Sequence, residues 1–150
     1  FCIQPMQLRP GIETIGEQEI IHYAVMQSKG ERMPDGSEVM LIDSRTPDWT
    51  AKGMIPGAVN LPWTLLSEAK GADPISIAEI MTEQFGAKEQ NGLFYFDDAK
   101  TLVMYCNGMW CGQSPNNIKS LLKYGYPADK IKWFRGGMQT WEILGFNTVK

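Results

Sequence analysis

The chain has 150 residues, of which 43% are hydrophobic and 21% charged, with a formal net charge of −3. A chain of this size and make-up folds as one domain around its own core, without needing disulfides or metal. Its acidic balance argues against a nucleic-acid surface. The longest apolar runs, such as Leu102–Tyr105, are far too short to cross a bilayer, so no transmembrane segment is expected.

The chain opens on Phe1 rather than Met, so a leader or tag is expected to have been removed. Cys2, Cys106 and Cys111 do not make a disulfide framework. Three scattered cysteines and the single His22, with no C-x-x-C, are a poor zinc set. The nine methionines form no copper-binding pattern. Neither a metal nor a cofactor is expected.

Residues 1–11 read as an irregular lead-in marked by Pro5 and Pro10, and 12–150 as the folded domain. Ile20, Ile21, Ala24 and Val25 recur at helical spacing, which predicts a helix over 17–28 stopped by Gly30. The compact apolar run at 39–43 suits a buried strand. A short turn or helix at Pro47–Trp49 follows, broken by Gly53, and then a short strand near 58–60. Ser76 and Glu79 form a capping-box pattern that predicts a helix over 77–85. The mostly polar stretch 87–99 reads as a connecting loop around Leu93–Phe96.

Residues 101–105 are the next buried strand. Ser114 and Pro115 are the expected cap and first residue of a helix whose apolar face is Ile118, Leu121 and Leu122 and which ends at Gly125. A strand over 131–134 leads through Gly136 and Gly137 to a last helix near 138–144, with Trp141 and Leu144 facing inward. Strands alternating with helices imply an α/β fold with a mainly parallel sheet, covered on both faces. Ligands of such sheets sit beyond the carboxyl ends of the strands, and Cys106 falls at one of these ends.

A cysteine between a buried strand and a helix start has an electrostatic consequence. Loop amides and the helix N-terminus present partial positive charge, which favours a thiolate and would also bind an anionic substrate. Gly108 and Gly112 let the loop curl with its amides turned inward. The residues expected to bind substrate are therefore Asn107, Gly108, Met109, Trp110, Cys111, Gly112 and Gln113, with Trp110 walling the pocket or docking a partner. The plain alternative is a cysteine that merely packs. His22 reads as a solvent-side residue, and Trp49, Trp63, Trp133 and Trp141 as core or rim packing.

Four segments in order, Leu41-Ile-Asp43-Ser-Arg45, Gly53-Met-Ile-Pro-Gly57-Ala-Val-Asn60, the Cys106 loop, and Arg135-Gly-Gly137 with Trp141, resemble the rhodanese family. The resemblance covers residues 12–147. It implies a single rhodanese-like domain and a sulfurtransferase. Cys106 would take a sulfane sulfur, for example from thiosulfate, and pass the resulting persulfide sulfur to cyanide or a thiol, including a protein thiol. Asp43 and Arg45 would organise the sheet edge as structural residues near the site.

The chain departs from the family in three places. The loop from Cys106 to Ser114 is about two residues longer than in common sulfurtransferases, which reshapes any anion cradle. No arginine stands in the loop, and Cys111 takes that place; Met54 replaces a histidine. Arg135 is therefore a candidate to bind the anion, the alternative being a surface arginine paired with a carboxylate. Cys111 is a candidate resolving thiol that forms a loop disulfide, the alternative being a small pocket-lining residue. Two other functions stay open: a thiol–disulfide or redox-sensing module using Cys106 with Cys111, and a non-enzymatic partner-binding module. Phosphatase activity is disfavoured without a loop arginine. The compartment is left undecided, with an exported, periplasmic location favoured over the cytoplasm by the cysteine pair and the missing leader.

Overall fold

A computed structural model of the chain describes residues 7–150. Most of the expected lead-in, with Cys2 and Pro5, lies outside the described residues. The strands are β1 (Glu13–Ile15), β2 (Val39–Asp43), β3 (Val59–Asn60), β4 (Lys88–Gln90), β5 (Leu93–Tyr95), β6 (Thr101–Tyr105) and β7 (Ile131–Phe134). The helices are α1 (Glu17–Lys29), α2 (Pro47–Thr50), α3 (Pro74–Glu83), α4 (Gln113–Lys123) and α5 (Gly137–Ile143).

Five strands form one sheet in the order β1-β7-β6-β2-β3, every neighbouring pair parallel. The central strands β2 and β6 are buried at every position. This is why they read as unbroken apolar runs: a strand covered on both faces has no solvent side to make polar. Alternate residues divide two cores. Met40, Ile42, Leu102, Met104 and Trp133 pack with Ile77 and Met81 of α3 and with Ile118 and Leu121 of α4. Leu41, Val103, Tyr105 and Phe134 pack with Ile20 and Met26 of α1 and with Met138 and Trp141 of α5. Each such side chain, fully buried, contributes about 1.5–3 kcal/mol. The helices therefore cover both faces of the sheet, as expected.

Several elements differ from the sequence reading. The strand β1 gives no sequence signal, because three residues are too short an alternation to register. The stretch read as a loop at 87–99 contains the antiparallel hairpin β4–β5. Its two-residue turn is Asn91-Gly92, with φ of 54° and 78°, the positive pair that this dipeptide favours. Helix α3 starts earlier than expected. Asp73, not Ser76, is the cap, and its carboxylate accepts the Ser76 amide at 2.7 Å, with Pro74 opening the helix. Helix α4 starts at Gln113 on a Gly112 cap, so Ser114 is inside the first turn and does not cap it. Leu144, expected to face inward, is exposed, and so are Val25 of the helical repeat and Trp49.

No helix among the described residues is long and apolar enough to cross a membrane.

Candidate functional site

The carboxyl ends of β2 and β6 lie side by side, Asp43 opposite Tyr105. Each strand hands its next residues to this edge. After β6 come Cys106 and the loop to α4; after β2 come Ser44 and Arg45.

The loop is held from three directions. The Cys111 amide donates to the Gly108 carbonyl at 3.1 Å, closing a turn that folds Cys111 back over Cys106. At its base, the Cys106 carbonyl accepts the Met138 amide at 3.0 Å and the Asn107 carbonyl accepts the Gln139 amide at 2.9 Å. These bonds dock the first turn of α5 against the loop. Gly137 makes the docking possible. Its φ is +56°, and a Cβ there would lie 2.3 Å from the Cys106 carbonyl oxygen and 2.8 Å from the Gly108 nitrogen. The third support is buried: the Ser114 hydroxyl donates to Ser44 Oγ at 2.9 Å.

At the tip, the Trp110 ring folds over Gly108, where a Cβ would lie 2.2 Å from the ring. Trp110 is still 65% exposed, and Met109 is exposed beside it. Trp110 and Trp49 flank a cleft of about 350 Å³ lined also by Arg45, Asn107, Met138 and Gln139. Gly112 is exposed, and Gln113 is half-buried in the first turn of α4.

Cys106 is almost completely buried, whereas Cys111 is half-exposed, and both are free thiols. Hydrogen bonding between the thiols is the leading cause of opposite pKa shifts in the pair. Cys106 Sγ also donates toward the carbonyl oxygens of Cys111, at 3.7 Å, and Gly108, at 4.0 Å. Carbonyl acceptors favour the protonated form. The bond to Cys111 and burial together push the Cys106 thiol up, against the pull of the Ser114 amide. Cys111 moves the other way, down to about 6. The bond from Cys106 holds its charge, burial opposes it, and the Gln113 and Asn107 amides and the Arg45 cation assist. The two shifts run in opposite directions, which favours a negative charge on the Cys111 side of the pair. The amides expected to serve Cys106 alone are divided between the thiols, Ser114 acting on Cys106 and Gln113 and Asn107 on Cys111.

The cation of the site is Arg45. Its Nη2 meets Asp43 Oδ2 at 2.7 Å and its Nε meets Oδ1 at 2.9 Å, both side chains buried. Nη2 also donates to the Gly53 carbonyl at 2.6 Å, and Nη1 reaches Asn107 Oδ1 at 3.5 Å. Burial disfavours the Arg45 charge, but the Asp43 carboxylate outweighs it and holds the guanidinium pKa above its ordinary value. The Asp43–Arg45 pair thus joins the end of β2 to the Gly53 turn, and Arg45 in addition touches the loop.

Arg135 does not reach this place. Its guanidinium turns toward β1 and donates to the Ile15 carbonyl at 3.3 Å. The structure thus brings together Cys106, Asn107, Gly108, Trp110 and Cys111, adds Arg45, and leaves Arg135 aside. Sequence reasoning misses Gly137 and Met138 as loop supports; the double glycine is the visible signal. Met54 pairs its backbone with Val149, and His22 is exposed. Among the described residues no three His, Cys, Asp or Glu side chains gather in a metal-binding cluster.

The profile of the rhodanese-like domain matches residues 26–144. The chain belongs to the rhodanese-like domain family. A sulfurtransferase of Allochromatium vinosum is 29% identical over 123 residues, 82% of this chain and 90% of that protein. A rhodanese-related protein of Thermoplasma volcanium superposes with a TM-score of 0.52 at 17% identity, covering 91% of this chain and 97% of its own. A human single-domain sulfurtransferase superposes with a TM-score of 0.50 at 20% identity, covering 87% and 95%. The two structures share the fold of this rhodanese-like domain, and in this chain the strand β6, the loop and α4 place Cys106 at the sheet edge.

Proposed function

We propose that this rhodanese-like domain is a sulfurtransferase whose Cys106 carries the transferred sulfur as a persulfide. The observation that carries the reading is the position of Cys106. It lies at the carboxyl end of β6, next to the first turn of α4, with a second thiol and the Arg45 cation at the same edge. The relative from Allochromatium vinosum, named a sulfurtransferase, supports the same reading.

The donor is a small sulfane anion such as thiosulfate. It takes the positive lining that Cys111 fills at rest. The donor displaces Cys111 from the amides and the Cys106 proton passes to solvent, so the buried sulfur ionises only when a donor is in place. The Cys106 thiolate attacks the outer sulfur, the sulfur–sulfur bond of the donor breaks, and sulfite departs with the electron pair. Arg45 and the Asn107 side chain face the sulfonate oxygens, and Trp110 shields the reacting atoms from water. An acceptor thiolate, or cyanide, then removes the outer sulfur and restores Cys106.

Steady-state transfer from thiosulfate to cyanide tests this. Initial rates should form the parallel double-reciprocal lines of a two-step exchange. The Cys106→Ala variant should fall to the uncatalysed rate. Full turnover by that variant, folded as the parent, would refute the proposal.

A further inference from the structure

The loop holds a second thiol that transfer of one sulfur does not require. Resting on the persulfide reading above, we propose that Cys111 resolves the Cys106 persulfide inside the loop, releasing hydrosulfide and leaving a Cys106–Cys111 disulfide that a dithiol partner must reduce. The geometry carries this. The turn closed by the Cys111 amide and the Gly108 carbonyl brings residue 111 back onto residue 106, with the Cys111 carbonyl 3.7 Å from Cys106 Sγ. A backbone turn that folds one cysteine onto the other meets the first requirement of a disulfide, close approach of the two residues.

The accessibilities are also unequal in a useful way. Cys106 is enclosed, and Cys111 is only half-buried, one residue after the exposed Trp110. An outside thiol meets Cys111 before Cys106, and where no acceptor takes the outer sulfur Cys111 is the nearest nucleophile to Cys106. An intramolecular attack of this kind has a large advantage in effective concentration over a free thiol.

The step balances. The Cys111 thiolate attacks Cys106 Sγ and forms the Sγ–Sγ bond. The bond from Cys106 Sγ to the outer sulfur breaks, and that sulfur leaves with the electron pair as hydrosulfide. The outer sulfur is reduced and the two cysteines are oxidised. Recovery needs a dithiol, either a small molecule or a protein with paired cysteines. One of its thiolates attacks Cys111 Sγ, the more exposed sulfur, and its second thiol closes the partner's own disulfide. Cys106 and Cys111 are returned reduced.

The test uses the full chain, reduced, freed of reductant under anaerobic conditions, and given one equivalent of thiosulfate without any acceptor. In the parent, intact mass should show a transient gain of one sulfur, then a loss of two hydrogens relative to the dithiol form, with one hydrosulfide released per chain. Cys111→Ser should gain the sulfur, keep it and release no hydrosulfide. A parent that holds its sulfur as long as Cys111→Ser, and releases none, overturns the resolving role while leaving the persulfide reading intact. If Cys111→Ser never gains sulfur although it is folded by circular dichroism, the persulfide reading fails and this inference falls with it. The parent's mass and hydrosulfide readings decide the matter even where the variant does not fold.

Discussion

Replacing Gly137 by Ala tests the docking of α5 on the loop. At φ +56° the backbone is in the left-handed region, which costs a residue with a Cβ about 1–2 kcal/mol. The new carbon would also lie 2.3 Å from the Cys106 oxygen, 2.8 Å from the Gly108 nitrogen and 2.9 Å from the Asn107 carbonyl carbon. All three are backbone atoms, so no side chain can swing aside. Overpacking of this kind adds about 1–3 kcal/mol, giving a total of about 2–5 kcal/mol. Gly30 is the control. Its φ is +70°, yet a Cβ there would meet nothing within 4 Å, so Gly30→Ala should cost about 1–2 kcal/mol only. Urea unfolding of the two variants reads the difference, which isolates the close approach from the backbone strain. Relief of the clash must move Cys106 and Asn107, so persulfide formation by the folded Gly137→Ala protein should fall by up to about 100-fold. Equal losses of stability in the two variants would show that Gly137 is not pressed against the loop.

Other consequences follow from the same site. Arg45→Gln removes one partner of a buried ion pair and strands the Asp43 carboxylate, so urea unfolding should report a loss of about 3–5 kcal/mol. Arg135→Ala should leave thiosulfate turnover unchanged in a steady-state assay, because its guanidinium lies on the Ile15 carbonyl and away from the loop. Alkylation of the reduced protein should label Cys111 before Cys106. Because the Cys111 pKa is lowered to about 6, its labelling should be fast above that pH and slow as pH falls through it. Cys106→Ala removes the hydrogen bond that holds this charge, so the midpoint of the labelling curve should rise toward the ordinary thiol value of about 8.5.

The architecture is legible in the sequence where burial is complete. β2 and β6 are covered on both faces, so their apolar runs declare them, and Cys106 is placed by its position just after one of them. The hairpin escapes notice although Asn91-Gly92 is a strong turn signal, because its flanking strands are three residues each and largely exposed. β1 carries no pattern that three residues can show.

The site is legible in its members and not in their electrostatics. Which of two thiols keeps the charge depends on the turn at Gly108–Cys111, on the carbonyls around Cys106 and on the amides of Asn107 and Gln113 around Cys111. None of these directions is written in residue types. The same holds for the two arginines. Arg45 and Arg135 both follow strands, and only the fold shows that the first touches Asn107 while the second turns toward β1.

The central claim concerns one atom, and peptide mass mapping addresses it directly. Cys111→Ser, treated with thiosulfate and then alkylated, should carry its single sulfane sulfur on the peptide containing Cys106. Sulfur found on the peptide containing Cys2, or on no peptide at all, would contradict the assignment of Cys106 as the sulfur carrier.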